Sequence, residues 1–440
     1  MLSRYGIPLL CYVPFTRTQK DNSNSSDSSN PSNPSNSNKQ RVLVIGNGIA
    51  SNAFLKDLNR NKYDVSVIAP NDTYLNTPKL IHNFECKLLN LRNINVSRLL
   101  LKLNSTPSSV LKNSLHSYDK FYRGYCHDVN TIDKKIIYTL SNDINMQLKH
   151  EESSNSKDSE INQEYSKYID SEIKQDIANR NPTAELKTMD YDKLVIATGS
   201  EINTFGIPGV KENCLFFKNN SDMQTLISSV DQADSIYIIG SGPIGTELSF
   251  VLSKTNKPIY LIESLNRVLP QMSDKTSTSI HNEMKKYGIY TFTNTKVLDI
   301  SKDEINCKIN SNTTDDICLK IKRSSKSIII WACGIKQNVP LYKFNPNNIL
   351  YTVSSNLTVK KDVYLIGDSN MKNPTAQSAV QQGRYLAQVF NTGYDGPFIH
   401  YDYGKVLHTR DNIYYENNLF SIKLPLCIND IIEYIIDNRY

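Results

Sequence analysis

Two glycine clusters and one amide-rich helix carry the chemistry that can be read from this sequence. Gly46-Asn47-Gly48 and Gly240-Ser241-Gly242-Pro243-Ile244-Gly245 each follow a short β-branched run. A backbone without side chains lets a pyrophosphate reach amide N–H groups, so such clusters offer phosphate binding. The second has all three glycines of G-x-G-x-x-G, whereas Ser51 stands at the third position of the first, which predicts slightly looser packing of helix on strand. Downstream, Gln377 and Gln381 sit four apart on one helix face, as neutral amides able to donate or accept hydrogen bonds at a ligand carbonyl. Hydrolytic chemistry has no such signature: there is no G-x-S-x-G or H-E-x-x-H, and the 7 histidines are scattered. The 8 cysteines include no C-x-x-C, which argues against a zinc site, a dithiol centre or a disulfide framework.

The elements that must position these groups are legible around them. Arg41–Ile45 reads as a buried parallel strand, Ile49–Asn59 as a helix and Asp64–Ala69 as a second strand, a dinucleotide-binding βαβ unit. Ser235–Ile239, a helix to Lys254 and strand Ile259–Ile262 repeat it. Glu263 ends the second unit, where a carboxylate accepts both hydroxyls of an adenosine ribose and repels a 2′-phosphate, favouring NADH over NADPH. Arg267 either softens that preference or is a solvated surface charge, the second reading being favoured. The first unit ends in Ala69-Pro70-Asn71 without an acid. Leu194–Ser200, Ile328–Gly334 and Val363–Asp368 read as further buried strands. Thr198, Gly199, Gly334, Gly367 and Asp368 at their ends are candidate cofactor contacts; each strand alone reads equally well as core with a turn glycine. Thr375–Phe390 predicts a helix starting near Thr375.

Composition frames these units. A length of 440 residues with 39% hydrophobic content suits two or three soluble domains. A mean hydropathy of -0.44 and no apolar run of about 18 residues exclude a membrane span. Of the net charge of +6, half lies in Arg4, Arg17 and Lys20, so no clustered basic face recommends nucleic-acid binding. The acid-free residues 1–20 read as a mitochondrial transit peptide, or more blandly as a tail with chance arginines. Residues 22–38 form an Asn/Ser/Pro linker, and the hydrophilic stretch 153–187 an insert.

The expected fold class is therefore α/β, with two Rossmann-like dinucleotide-binding domains and a short C-terminal segment. The expected boundaries are 1–40 for leader and linker, 41–210 and 336–391 for the two parts of the first domain, 211–335 for the second, and 392–440 for a C-terminal dimer or membrane-association segment.

In order along residues 41–391, RVLVIGNGIASNAFLKDL, YDVSVIAPNDTYLNTP, YDKLVIATGSEINTFGIPGVKENC, VIGSGPIGTELSF, LIESLNRVLP and LIGDSNMKNPTAQSAVQQGRYLAQVFN resemble the flavoproteins with two dinucleotide-binding domains. More narrowly, they resemble the type II, or alternative, mitochondrial NADH:ubiquinone oxidoreductases. The resemblance implies FAD on Gly46 and Gly48, with Asp368 at the ribityl chain. It implies NADH on Gly240, Gly242 and Gly245, with Glu263 at the ribose. Glu247 matches an acid near the nicotinamide–flavin junction; its bland alternative is a helix N-terminal acid. Gln377 would border the quinone pocket, with Ala376, Gln381 and Gln382 shaping the flavin face. The start of the Thr375–Phe390 helix, aimed at the flavin pyrimidine edge, would stabilise anionic reduced flavin by roughly 0.3–1 kcal/mol, or about 2 when partly buried. Val380 and Cys333 depart from common family residues without removing an essential group.

The implied activity is hydride transfer from NADH to FAD, then two electrons to ubiquinone without proton pumping, by a mitochondrial protein peripheral on the inner membrane. A soluble NADH-dependent flavoprotein reductase, ferredoxin-reductase-like or apoptosis-inducing-factor-like, stays open, as does a silent flavin-binding scaffold. At the C-terminus, Leu424–Asp437 reads as a helix with Ile428, Ile431, Ile432 and Ile435 on one face and Asp430, Glu433 and Asp437 on the other. An acidic face is the wrong sign for anionic lipid, which leaves a homodimer contact or core packing at least as favoured as membrane attachment.

Overall fold

The computed structural model describes residues 39–71, 79–91, 119–141, 186–309, 317–338 and 353–426. The leader and linker, the insert from 153 to 185, and the isoleucine face at 428–435 lie outside the described residues.

The apolar run Val42–Ile45 is fully buried because the strand carrying it, β1 (Gln40–Ile45), lies in the middle of a sheet covered on both faces. Helix α1 (Ile49–Asp57) returns the chain to β2 (Tyr63–Ala69), which pairs with β1 in parallel, Val42 opposite Val65 and Val44 opposite Val67. Helix α2 (Leu80–Leu91) and strands β3 (Lys120–Asn130), β4 (Lys135–Leu140), β5 (Lys187–Asp190) and β6 (Lys193–Ile196) follow. The expected strand Leu194–Ser200 breaks after Ile196 and resumes as the short β7 (Ser200–Ile202), because Gly199 turns the chain with φ +74°.

A second parallel unit is built from β8 (Ile236–Ile239), β9 (Ile259–Ile262), β10 (Ile289–Phe292) and β14 (Ile328–Trp331). Its helices are α3 (Asn220–Gln232), α4 (Pro243–Ser253) and α5 (Asp274–Lys286). Strands β11 (Thr295–Ile300), β12 (Glu304–Ile309) and β13 (Ile317–Lys322) form an antiparallel sheet packed through Val297, Ile305 and Cys307 on Tyr237, Ile239 and Trp331. The chain then passes through β15 (Ile335–Gln337) back to the first sheet as β16 (Thr358–Lys360) and β17 (Val363–Leu365). There the expected strand end at Gly367-Asp368 is a 3-10 turn, Gly367–Asn370. Helix α6 (Ala376–Thr392) is capped by the Thr375 hydroxyl, which accepts from the Ser378 N–H at 3.1 Å.

The strand orders explain where ligands can sit. The large sheet runs β16-β17-β6-β1-β2-β3-β4-β5 and the smaller β10-β9-β8-β14, so in each the chain reverses direction beside its first strand. That reversal leaves a crevice at the carboxyl ends of β1 and β8. Helices α1 and α6 lie on the large sheet, with Phe54, Leu386 and Phe390 in its core and the Phe54 and Phe390 rings edge to face at 5.2 Å. Burying each such side chain is worth about 1.5–3 kcal/mol. Helix α2, although it follows β2 in sequence, inserts Leu80, Phe84 and Leu88 into the core of the second unit.

The C-terminal part departs from expectation. Residues 405–425 form an antiparallel sheet, β18 (Lys405–His408), β19 (Asn412–Glu416) and β20 (Ser421–Pro425), and Leu424, read as the start of a helix, belongs to β20. Leu407 and Tyr414 enter the core of the second unit. The buried Glu283 carboxylate on α5 accepts from Thr409 (2.5 Å), Asn412 (3.1 Å) and Tyr414 (2.9 Å), an anchor invisible to hydrophobic periodicity.

Candidate functional site

At the end of β1, Gly46 takes φ +107°, and a Cβ there would lie 2.2 Å from the Ala197 carbonyl oxygen at the end of β6. Gly48 occupies the N-cap of α1; no side chain among the described residues caps it, and the first turn has no acid. A Cβ on Gly48 would meet nothing within 4 Å. The first-turn amides therefore border open space that a side chain would begin to fill, as anion binding at a helix N-terminus requires. Ser51 is fully buried and its hydroxyl donates to the Gly48 carbonyl at 3.0 Å, so the extra atoms fold back onto their own helix. Across the crevice, the Thr198 hydroxyl donates to the Asn338 carbonyl, and Gly199 faces open space.

The second crevice adds a close approach of helix to strand. Gly240 (φ +98°) would place a Cβ 2.7 Å from the Ala332 carbonyl oxygen, and Gly245 would place one 2.0 Å from the Gly240 oxygen. Gly242 caps α4 without a side-chain hydrogen bond and faces open space, as does Gly334 (φ +103°). Cys333, between Ala332 and Gly334, donates its thiol to the Ile239 carbonyl at 3.2 Å; burial, reinforced by nearby Glu263, pushes the thiol's pKa up.

Glu263 and Arg267 both make contacts within the chain that their sequence positions did not announce. Glu263 does end β9, but its carboxylate is buried and committed to the chain itself. One oxygen accepts from the Ser241 N–H (2.8 Å) and hydroxyl (2.7 Å), the other from the Leu265 N–H (2.9 Å) and the Ser264 hydroxyl (3.2 Å). Four donors on one carboxylate mean that Glu263 braces the glycine turn. Arg267 is neither a phosphate reader nor a freely solvated charge. It pairs with Asp274 and donates to the Pro270 (2.9 Å) and Met272 (3.0 Å) carbonyls.

Below the first crevice, the turn Gly367–Asn370 and the start of α6 form a third wall. Gln382, fully buried, accepts from the Gly367 N–H at 2.7 Å and the Asn370 amide at 2.6 Å, and donates to the Ser378 hydroxyl at 2.9 Å. A Cβ on Gly383 would lie 2.3 Å from the Ala50 carbonyl oxygen, so this glycine sets how closely α6 approaches α1. Ala376 is the first residue of α6. Gln377 next to it is only 8% exposed, and its Nε2 has no hydrogen-bond partner. An unpaired buried donor is costly unless a ligand satisfies it.

Gln381 does not join Gln377. Its amide donates to the Tyr401 carbonyl (2.8 Å) and accepts from the Tyr401 N–H (2.9 Å), clamping the segment before β18 onto α6. The expectation that both amides face one ligand is therefore corrected: Gln381 is used by the chain's own backbone.

Glu247 lies in the second turn of α4, past the first-turn positions where the helix dipole would favour it. Its carboxylate accepts from the His408 N–H at 2.9 Å, with the His408 ring Nδ1 at 3.4 Å, joining α4 to β18. Two further residues were not singled out from the sequence. Ser200 donates to Asp368 at 3.2 Å and accepts from the Lys218 ammonium at 2.8 Å. No local pattern announces Lys218, which follows the apolar run Leu215–Phe217 by a single step.

Comparisons with known proteins agree with this architecture. A profile of the pyridine nucleotide-disulphide oxidoreductase family matches residues 40–383. The external alternative NAD(P)H-ubiquinone oxidoreductase B3, mitochondrial, of Arabidopsis thaliana is 24% identical over 330 residues, covering 68% of this chain and 47% of the relative. A probable NADH dehydrogenase of Dictyostelium discoideum is 27% identical over 80% of this chain and 73% of its own length. The chain thus spans about half the length of the Arabidopsis relatives it matches. Among solved structures, that of NDH2 from Plasmodium falciparum in complex with NADH superposes with a TM-score of 0.68 at 18% identity, over 90% of this chain and 94% of that one, a likeness of fold.

Proposed function

Because the chain belongs to the pyridine nucleotide-disulphide oxidoreductase family, we propose that it is a type II NADH:ubiquinone oxidoreductase, with FAD in the first crevice, NADH in the second and two electrons passed to ubiquinone without proton pumping. The observation that carries this reading is the pair of glycine-capped helix N-termini at the ends of β1 and β8, each bordering open space and free of acids in its first turn. The matched relatives' names supply the activity class.

The residues present fit FAD: Gly48 leaves room where a Cβ would intrude, and the Gln377 amide is a buried donor awaiting an acceptor. Bound FAD would supply the two-electron chemistry between nicotinamide and quinone. Gly46, Gly48 and Ser51 would hold its pyrophosphate, with Thr198, Gly199, Gly334, Gly367 and Ala376 shaping the walls. Asp368 would accept from hydroxyls of the ribityl chain. Gln377 would donate to a carbonyl at the flavin–quinone edge. Gly240, Gly242 and Gly245 would hold the NADH pyrophosphate, while Glu263 keeps their turn rigid and its charge disfavours a 2′-phosphate. Glu247 would orient the nicotinamide end of the second crevice, steadied by His408. None of these residues need move a proton in the hydride step; orientation and exclusion of water are the chain's contribution.

We place the protein in mitochondria, peripheral on the inner membrane, from its acid-free leader and its matched relatives' names. No described helix is long and apolar enough to cross a membrane. Anaerobic mixing with NADH, then with a short-chain ubiquinone analogue, tests the reading. Flavin absorbance should fall and then recover. A colourless protein that refuses flavin overturns the whole reading, and bleaching without recovery overturns the quinone step.

A further inference from the structure

We propose that Lys218 is a positioning residue for Asp368, acting through the Ser200 hydroxyl, so that FAD retention by the first crevice depends on a cation contributed by the chain entering the second unit. This rests on the reading of Asp368 as a cofactor contact.

The backbone at Lys218 is fixed. Its N–H donates to an Asp222 carboxylate oxygen at 2.8 Å, and Asp222 also closes the capping box of α3 with Asn219. Phe217 immediately before it is buried in the second unit's core. The Lys218 side chain leaves that core and reaches the first unit, where Nζ lies 2.8 Å from the Ser200 oxygen. Ser200 is 6% exposed and passes its own hydrogen to Asp368 Oδ2 at 3.2 Å.

The chemistry gives this chain a direction. An ammonium only donates, so the Ser200 oxygen must accept from it, and the single hydroxyl hydrogen is left to point at Asp368. Removing the ammonium frees the hydroxyl to turn, and Asp368 loses an oriented donor. On its other side, the turn carrying Asp368 is already held by Gln382 at the Gly367 N–H. The carboxylate is thus gripped through its backbone from α6 and through its side chain from Lys218. Burial works against the charge on Lys218 and lowers its pKa, while the carboxylates of Asp368, Asp222 and Glu201 oppose that effect. The ammonium is half-buried, and among the described residues no carboxylate forms an ion pair with it, so the Ser200 oxygen is its hydrogen-bond partner toward Asp368.

The test is equilibrium titration of FAD into flavin-stripped full-length protein, read by flavin fluorescence, for wild type, Lys218→Met, Lys218→Arg, Ser200→Ala, Asp368→Asn and the Lys218→Met/Asp368→Asn double variant. Lys218→Met and Ser200→Ala should each weaken FAD binding by about tenfold, as expected for loss of one charge-assisted contact. Lys218→Arg should restore most of it. The double variant should bind no worse than Asp368→Asn alone, because Lys218 acts only through Asp368. Wild-type affinity in Lys218→Met, or effects that multiply in full in the double variant, overturns the proposal. A wild type that binds no FAD overturns the reading of Asp368 and the proposal with it.

Discussion

The two crevices are built to one plan but differ in which surface their first helix approaches most closely. In the second, helix α4 is pressed against its own strand: a Cβ on Gly245 would come within 2.0 Å of the Gly240 carbonyl oxygen. In the first, the equivalent Ser51 fits, and the close approach moves to the junction of α1 with α6, where Gly383 would place a Cβ 2.3 Å from the Ala50 oxygen. The crevices also differ in what stiffens the turn. Glu263 braces the second through Ser241, whereas the first, with no acid at the end of β2, relies on Gln382 holding the neighbouring Gly367 turn. A missing glycine or acid in a motif is thus no sign of a degenerate site when another element has taken over its mechanical role.

The largest effects should come where both crevices are alike. Gly46→Ala and Gly240→Ala each force a side chain into positive φ and against a backbone oxygen, and Gly46 is the closer at 2.2 Å. Each should lose about 3 kcal/mol or more by denaturant unfolding, Gly46→Ala also losing its flavin. Next comes the asymmetry. Gly245→Ser should cost about 2 kcal/mol or more, whereas Ser51→Gly should cost only about 1, its helix entropy and one hydrogen bond. Equal costs would break the comparison. Gly383→Ala should behave like Gly245→Ser but weaken FAD binding rather than NADH binding.

Gln377 and Gln381 sharpen the same contrast within one helix. Gln377→Leu removes an unpaired buried donor, so unfolding stability should stay level or rise, while quinone-dependent NADH oxidation falls by about tenfold. Gln381→Leu breaks two hydrogen bonds to Tyr401 and should cost about 1–2 kcal/mol, with less effect on turnover. A destabilised Gln377→Leu enzyme with unchanged quinone kinetics would reverse their assigned roles.

The βαβ units were legible because three signals coincide in each: a β-branched run, a glycine turn and a helical run leading to a second strand. β1, β8 and β9 fall within a residue of expectation for that reason. What sequence could not show is which partner a polar side chain chooses. Glu263 and Gln381 stand where expected, yet each hydrogen-bonds to neighbouring parts of the chain, which depends on how loops 241 and 401 fold in space. Ser200 was in view only as the end of a strand, and Lys218 lies far from Asp368 in sequence, so no spacing rule connects them. The three-stranded sheet at 405–425 was missed because its strands are only four or five residues long and its attachment to α5 combines a few core side chains with carboxylate hydrogen bonds that leave no periodic pattern.

That carboxylate attachment gives the smallest expected effect, and one confined to the second unit. Glu416 on β19 accepts from the Ser273 N–H (2.8 Å), the Ser273 hydroxyl (2.6 Å) and the Thr276 hydroxyl (2.6 Å) at the start of α5. Burial favours its neutral form, but these donors outweigh burial and hold its pKa below the usual value of 4.5. A folded-state pKa below the unfolded one means the contribution is complete above about 4.5 and is lost as pH falls through the lower folded value. Glu416→Gln keeps the shape but removes the charge, so the stability difference between wild type and variant should be about 1 kcal/mol near neutrality and shrink toward zero in acid. The chain's single tryptophan, Trp331 in β14, reports the second unit and bound flavin the first. The pH-dependent difference should therefore appear in Trp331 fluorescence during urea unfolding and leave flavin release unchanged. A difference of equal size in both signals would mean that the C-terminal sheet braces both crevices rather than the one it touches.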